Sequence, residues 1–205
     1  MSDTREQALA EVSLCEAILA KAGLTILNEV FPDVAPIVAW THYPPGDVFD
    51  PASTSQWFYH CHPASEGSEE HGHFHCFVRP AGAAGPIHHL VAVGVDATGH
   101  LIRLFTVNQW VVGDAWADAE TTIPLLTQFD MQMPRPSYLV NRWLSGIVRA
   151  YTPEIASLLR DRDHALAAEA HGRPEAIVRD DRSLEVLSEL RIGTGTLARQ
   201  TAPDR

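Results

Sequence analysis

The stretch Gln56 to Pro80, QWFYHCHPASEGSEEHGHFHCFVRP, limits what this chain can fold into more than any other. Five of the eleven histidines in the 205-residue sequence fall within it, as His60-x-His62 and His71-x-His73-x-His75. Two runs rich in aromatics flank a short polar loop, Ala64 to Glu70, which carries Glu66, Glu69 and Glu70. Runs of this kind around a Ser/Gly/Glu loop predict a β-hairpin. Side chains two residues apart share one face of a strand. His60 and His62 therefore line one face with Phe58, while Trp57, Tyr59 and Cys61 take the other. On the second arm His71, His73 and His75 share a face, and Phe74, Cys76 and Val78 point the opposite way. If the two apolar faces pack into a core, all five imidazoles reach one surface.

Neutral imidazole is the commonest protein ligand for zinc, copper and ferrous iron. An H-x-H pair on a strand sets two rings side by side, and a third ring from the neighbouring strand completes a facial three-histidine site. The ligand pool is His60, His62, His71, His73 and His75, with His42, His88 and His89 as further candidates from adjacent strands. Five histidines exceed the needs of one ion. Either three bind it and the others orient substrate, or two ions lie roughly 3.5–4 Å apart. Glu66, Glu69 and Glu70 can supply a carboxylate ligand or a base, and Tyr59 joins Glu69 and Glu70 as a candidate catalytic residue. A site rich in histidine and poor in carboxylate, set among aromatics, favours oxygen chemistry on iron or copper. A zinc hydrolase with Glu69 or Glu70 as general base is the competing reading. Two non-catalytic readings stand beside these: a protein that stores, delivers or senses a metal ion or haem, and a histidine cluster that titrates as a pH sensor. A lone histidine on a strand is ordinarily a satisfied polar residue. Five at alternating positions give no packing advantage, so that explanation fits them poorly.

Charge and composition narrow the partners. A formal net charge of −11 disfavours a general nucleic-acid binder and an anionic membrane surface. No run of about 18 apolar residues occurs, so a transmembrane span is not expected. The first residues, MSDTREQALAEVSLCEAILAKAGL, mix acidic and apolar positions and do not read as a signal peptide. Cys15, Cys61 and Cys76 are too few and too scattered for a disulfide framework. Cys61 and Cys76 are expected to face each other as free thiols on the buried side of the hairpin, in the cytoplasm. A small-molecule substrate is the expected partner, and one domain over residues 1–192, followed by a flexible tail at 193–205, is the expected organisation.

The flanking segments complete an α+β outline. Thr4 to Val30 reads as one long helix or two short ones, with Leu9, Val12, Ile18, Leu19 and Ile26 on its apolar stripe. Pro36 to Tyr43 has strand character, and Pro44-Pro45-Gly46-Asp47 predicts a turn. Ile87 to Val95 is a strand with Ile87, His89, Val91, Val93 and Val95 on one face and His88 with Leu90 on the other. A turn at Asp96 to Gly99 returns the chain as an antiparallel partner from His100 to Val107. Asn108 to Trp116 predicts a strand end and loop, and Ala117 to Phe129 a short helix with Pro124 in its first turn or breaking it. Ser137 caps an amphipathic helix, and Thr152-Pro153 opens another that runs to about Ala170. Residues 175–192 fit strand or helix, with a short hairpin turning at Asp180-Asp181-Arg182 preferred. Arg79 and Arg103 either neutralise an anionic substrate or cover a sheet rim. The outline is an antiparallel sheet with a histidine-rich hairpin face, packed by helices from both ends of the chain.

Several motifs are missing: an H-E-x-x-H helix, a G-x-S-x-G elbow, a phosphate loop and a C-x-x-C pair. His60-x-His62 with Glu66 resembles the first metal motif of cupins, but the immediate recurrence as His71-Gly-His-Phe-His75 departs from the cupin pattern. The block from His42-Tyr-Pro-Pro-Gly-Asp through His71-Gly-His-Phe-His75 resembles an uncharacterised family of bacterial histidine-rich proteins over residues 40 to 160. That resemblance implies no function.

Overall fold

The computed structural model describes residues 2–31, 37–63 and 67–193, with side chains from Thr4 onward. Helices α1 (Ser2–Lys21) and α2 (Ile26–Val30) precede strands β1 (Tyr43–Asp50), β2 (Ser55–His60), β3 (Gly72–Val78), β4 (His88–Val95) and β5 (Leu101–Val107). Short helices α3 (Gln109–Val112) and α4 (Ala119–Thr122), a 3-10 segment Ile123–Gln128, and helices α5 (Tyr138–Ala150), α6 (Thr152–Ala170) and α7 (Glu175–Arg179) then lead to β6 (Val186–Arg191). The strands form one antiparallel sheet in the order β1-β2-β3-β4-β5-β6. The α+β class expected from the sequence holds.

The helices cover one face of this sheet. Trp57 and Tyr59 of β2, Phe74 and Cys76 of β3 and Val93 of β4 are fully buried against Trp143, Leu144 and Ile147 of α5. Burying each large apolar side chain contributes about 1.5–3 kcal/mol. One hydrogen bond fixes the docking: the Trp57 indole donates to Asn141 Oδ1 at 2.8 Å. The amide of Asn141 in turn donates to the part-buried carbonyls of Met133 and Arg135, so the buried Asn141 side chain is fully paired. Helix α1 crosses α5 at Gly146, where a Cβ would stand 2.8 Å from a Val12 methyl. Helix α6 packs beside it, with the Leu158 carbonyl accepting from Ser188 of β6. Ser137 caps α5 and Pro153 lies in the first turn of α6, as expected from those residues.

Several expectations change. First, the strand forecast for 36–43 begins only at Tyr43 and runs through the forecast turn, which becomes a bulge between Tyr43 and Val48 with Gly46 and Asp47 at positive φ; Pro36 lies outside the described residues. Second, β4 changes face. Phe77 pairs with His89 whereas Cys76 pairs with Val91, so an irregularity puts His89 on the face opposite Val91 and Val93. Third, Cys76 stands opposite Trp57, so Cys61 does not face it, and all three cysteines are free and buried. Fourth, the forecast hairpin at 175–192 is half right: its second arm is β6, paired with β5, but its first arm is helix α7. Asn108, read as a strand end, caps α3 by accepting from the Gln109 amide. Pro124 converts the second half of the 117–129 helix to 3-10 geometry. Ile18 is exposed rather than part of the α1 stripe. Of the forecast tail, residues 194–205 lie outside the described residues.

Candidate metal centre

The face of the sheet turned away from the large helices carries the histidines. Antiparallel register sets His60 of β2 against His73 of β3, and Phe58 against His75. His62, just beyond β2, stays on the same side. The rings pack edge to face: the centroid of His60 lies 4.5 Å from His73 and 5.3 Å from His62, and His73 lies 4.8 Å from His75. His89 extends the row, its Nε2 being 3.1 Å from Nδ1 of His75. His60, His62 and His73 each offer a ring nitrogen within 4.8 Å of the others. Zinc–nitrogen bonds are about 2.0–2.1 Å, so nitrogens that share an ion lie at most about 4.2 Å apart.

A carboxylate behind the cluster sets one tautomer. Glu70 Oε1 lies 2.7 Å from His73 Nδ1, and its other oxygen pairs with Arg103. With the Nδ1 proton of His73 donated to Glu70, its Nε2 presents a lone pair, and that atom lies 2.6 Å from Nε2 of His60. His60 Nε2–H therefore donates to His73 Nε2, and an ion taken up between the two rings would displace that proton and spread the nitrogens. Arg103 also pairs with Glu189 at 2.8 Å and lies over the Phe105 ring at 4.0 Å, anchoring the carboxylate from β5 and β6. Gly94 of β4 makes room: a Cβ there would stand 2.7 Å from both Glu70 Oε2 and Arg103 Cγ.

Burial and neighbouring positive groups favour the neutral form of His60, His62, His75 and His89. Desolvation, then the nearby His73, His62 and His42, depresses His60 to about 3. Burial and the neighbouring histidines push His75 well below the ordinary value, and burial with Arg162 lowers His89 to about 3. His62 is also lowered, mainly by desolvation. Burial alone would raise Glu70, yet hydrogen bonds from His73 and Arg103 outweigh it and hold the carboxyl below its usual range. Neutral imidazoles beside an ionised carboxylate are the protonation states that a cation requires. Nε2 of His75 is buried with no hydrogen-bond partner, an unusual condition for a ring nitrogen.

The sequence candidates separate. His60, His62, His73, His75 and His89 share the face, and Glu70 serves it through His73. His71 does not join them: β3 begins at Gly72, and Nδ1 of His71 lies 2.6 Å from the Tyr59 hydroxyl. Tyr59 itself belongs to the core on the helix side, where burial raises its hydroxyl. Tyr59 and His71 thus form a pair away from the cluster. His42 stacks on Phe58 at 3.7 Å and pairs with Asp47, its ring 6.1 Å from His60. His88 pairs with Val78 and so lies on the helix side. Glu69 lines a cleft of about 1030 Å³ with Cys61, His62, Glu70, Arg103 and Arg191. Glu66 lies outside the described residues. Sequence reasoning missed Trp40, whose ring lies 4.2 Å from His62, and Glu185, 4.0 Å from His62 Nε2. No local pattern marks either one, since both arrive from distant segments.

This chain belongs to a family known as a domain of unknown function (DUF6969), which matches residues 6–192. No curated protein and no solved structure matches it significantly.

Proposed function

We propose that this protein is a metal-dependent oxidoreductase in which His60, His62 and His73 hold one iron or copper ion, acting on a small molecule admitted through the adjoining cleft. One observation carries the reading: three ring nitrogens converge within 4.8 Å, and the far nitrogen of one of them is held by a carboxylate. Bound there, a redox-active ion would carry electrons between an organic substrate and dioxygen. The chain's own residues have separate tasks. Glu70 fixes the His73 tautomer and balances the cation's charge, and Arg103 holds Glu70 in place. Phe58, Phe77 and Phe105 surround the imidazoles and limit water at the ligands.

The position of Glu70 favours oxidation over hydrolysis. A zinc hydrolase needs a carboxylate free to take a proton from bound water. Glu70 is engaged by both His73 and Arg103, so that task would fall to Glu69 on the cleft wall. Three free, buried thiols support the cytoplasmic setting. Among the described residues no helix is long and apolar enough to cross a membrane.

Parallel assays test the choice. Iron-, copper- and zinc-loaded protein are each offered a panel of phenols and aromatic amines in an oxygen electrode, and a panel of activated esters. Oxygen uptake by the iron or copper form, abolished in His73→Ala, is the expected result. Ester hydrolysis by the zinc form alone would replace this reading with the hydrolase.

A further inference from the structure

The three candidate ligands are not equally covered. His60 and His73 are buried, whereas His62 is partly exposed, so solvent reaches the cluster past His62. What stands at that opening is Trp40. Its indole lies 4.2 Å from the His62 ring at 31° and meets His60 edge-on at 6.1 Å. Despite that stack Trp40 remains 59% exposed, a large area for the largest aromatic side chain. Ile37 and Val38 nearby in sequence are exposed as well, at 38% and 57%, and Ile37 lines the cleft with His62. Isolated exposed apolar residues need no explanation, but a half-bare indole stacked on a candidate ligand does.

The backbone holds Trp40 there at a cost. Its φ is +66°, in the left-handed region that bulky residues rarely adopt. The arch that enforces this is tied at several points. The Trp40 amide donates to the Cys61 carbonyl at 2.9 Å, the Val38 amide to the Tyr43 hydroxyl at 2.8 Å, and the Thr41 amide to the Val38 carbonyl at 3.3 Å. Strain retained by surrounding contacts concentrates where a side chain must be aimed. Here it aims an indole over the exposed ligand and leaves the ring accessible.

We infer that Trp40 forms an aromatic-binding subsite at the mouth of the metal centre, and that the substrate is a small molecule with a flat aromatic body next to its metal-binding group. The inference rests on the metal reading above and specifies its substrate class. An aromatic ring entering past His62 stacks on the indole while its polar end reaches the ion. Aliphatic analogues with the same polar end lose the stacking.

Acetohydroxamate and benzohydroxamate test this directly, because they share one metal-chelating group and differ in a methyl against a phenyl. Protein carrying one equivalent of Zn(II), which removes redox chemistry from the measurement, is titrated with each by calorimetry. Zinc content is determined separately on the same samples. Wild type is expected to bind benzohydroxamate about tenfold more tightly, in line with a favourable aromatic pair. Trp40→Ala should retain zinc and bring that ratio towards one, and Trp40→Phe should keep most of it. Zinc retained with the ratio unchanged in Trp40→Ala, or with no hydroxamate bound to wild type, overturns this inference and leaves the metal site standing. Wild-type protein that takes up no zinc and binds neither probe overturns both.

Discussion

Glu70 stands behind His73: its carboxylate oxygen lies 2.7 Å from Nδ1, on the side of the ring opposite the nitrogen that faces His60. A carboxylate in this position fixes the ring's tautomer and raises its basicity as a ligand. Glu70→Gln keeps the shape and loses the charge. Metal affinity, measured by competition with a chromophoric chelator, should fall about 10–100-fold while the fold persists. Unchanged affinity would mean that the Glu70–His73 contact is structural only.

Gly94 tests the same relationship from outside the site. Its backbone tolerates any residue, but an added Cβ meets Glu70 Oε2 and Arg103 Cγ at 2.7 Å. Gly94→Ala must displace the ion pair. A loss of about 1–3 kcal/mol in denaturant unfolding is expected, as in other overpacked sites. Metal affinity should drop with it, to about the level of Glu70→Gln.

Stability without metal should depend on pH in a definite direction. His60 and His89 titrate near 3 in the folded chain, and His75 also lies well below its unfolded value near 6.5. Between those values the unfolded chain binds more protons than the folded one, so stability is full above about pH 6.5 and falls on acidification. Each such group contributes a slope of up to about 1.4 kcal/mol per pH unit in that window. Urea midpoints at pH 7.5, 6.0 and 5.0 should therefore decrease in that order. A flat series would contradict a buried neutral cluster.

Asn141 separates the core from the site. It accepts from Trp57 and donates to two carbonyls on the helix face of the sheet. Asn141→Ala strands the buried Trp57 indole N–H and removes a donor from two part-buried carbonyls, and should cost about 1–3 kcal/mol, since stranding a buried polar group is expensive. Metal stoichiometry in the folded fraction should not change. Loss of metal at full stability would show that the two faces are coupled.

Much of this was legible from alternation. A strand has period two, so H-x-H on adjacent arms placed His60, His62, His73 and His75 on one face before any pairing was known. Alternation failed wherever strand geometry is irregular. His71 precedes the strand proper, and Gly72 after it is crowded by the Tyr59 ring, so His71 and Tyr59 meet on the helix side. Alternation groups His89 with Val91 and Val93, whereas the irregularity at Cys76 and Phe77 shifts β4 by one residue and sets His89 on the opposite face. The partnership of Glu70 with Arg103 joins residues 33 positions apart through the β4–β5 pairing. The position of Trp40 depends on an arch at positive φ, which neither periodicity nor propensity predicts.

The central claim is that His60, His62 and His73 share one metal ion. Elemental analysis of untagged wild-type protein and His73→Ala, purified side by side without added metal, tests it most directly, with circular dichroism confirming that both are folded. The account predicts close to one iron or copper ion per wild-type chain and almost none in the variant. A folded wild type without metal, gaining none on reconstitution, or a variant that keeps its full complement, would contradict it.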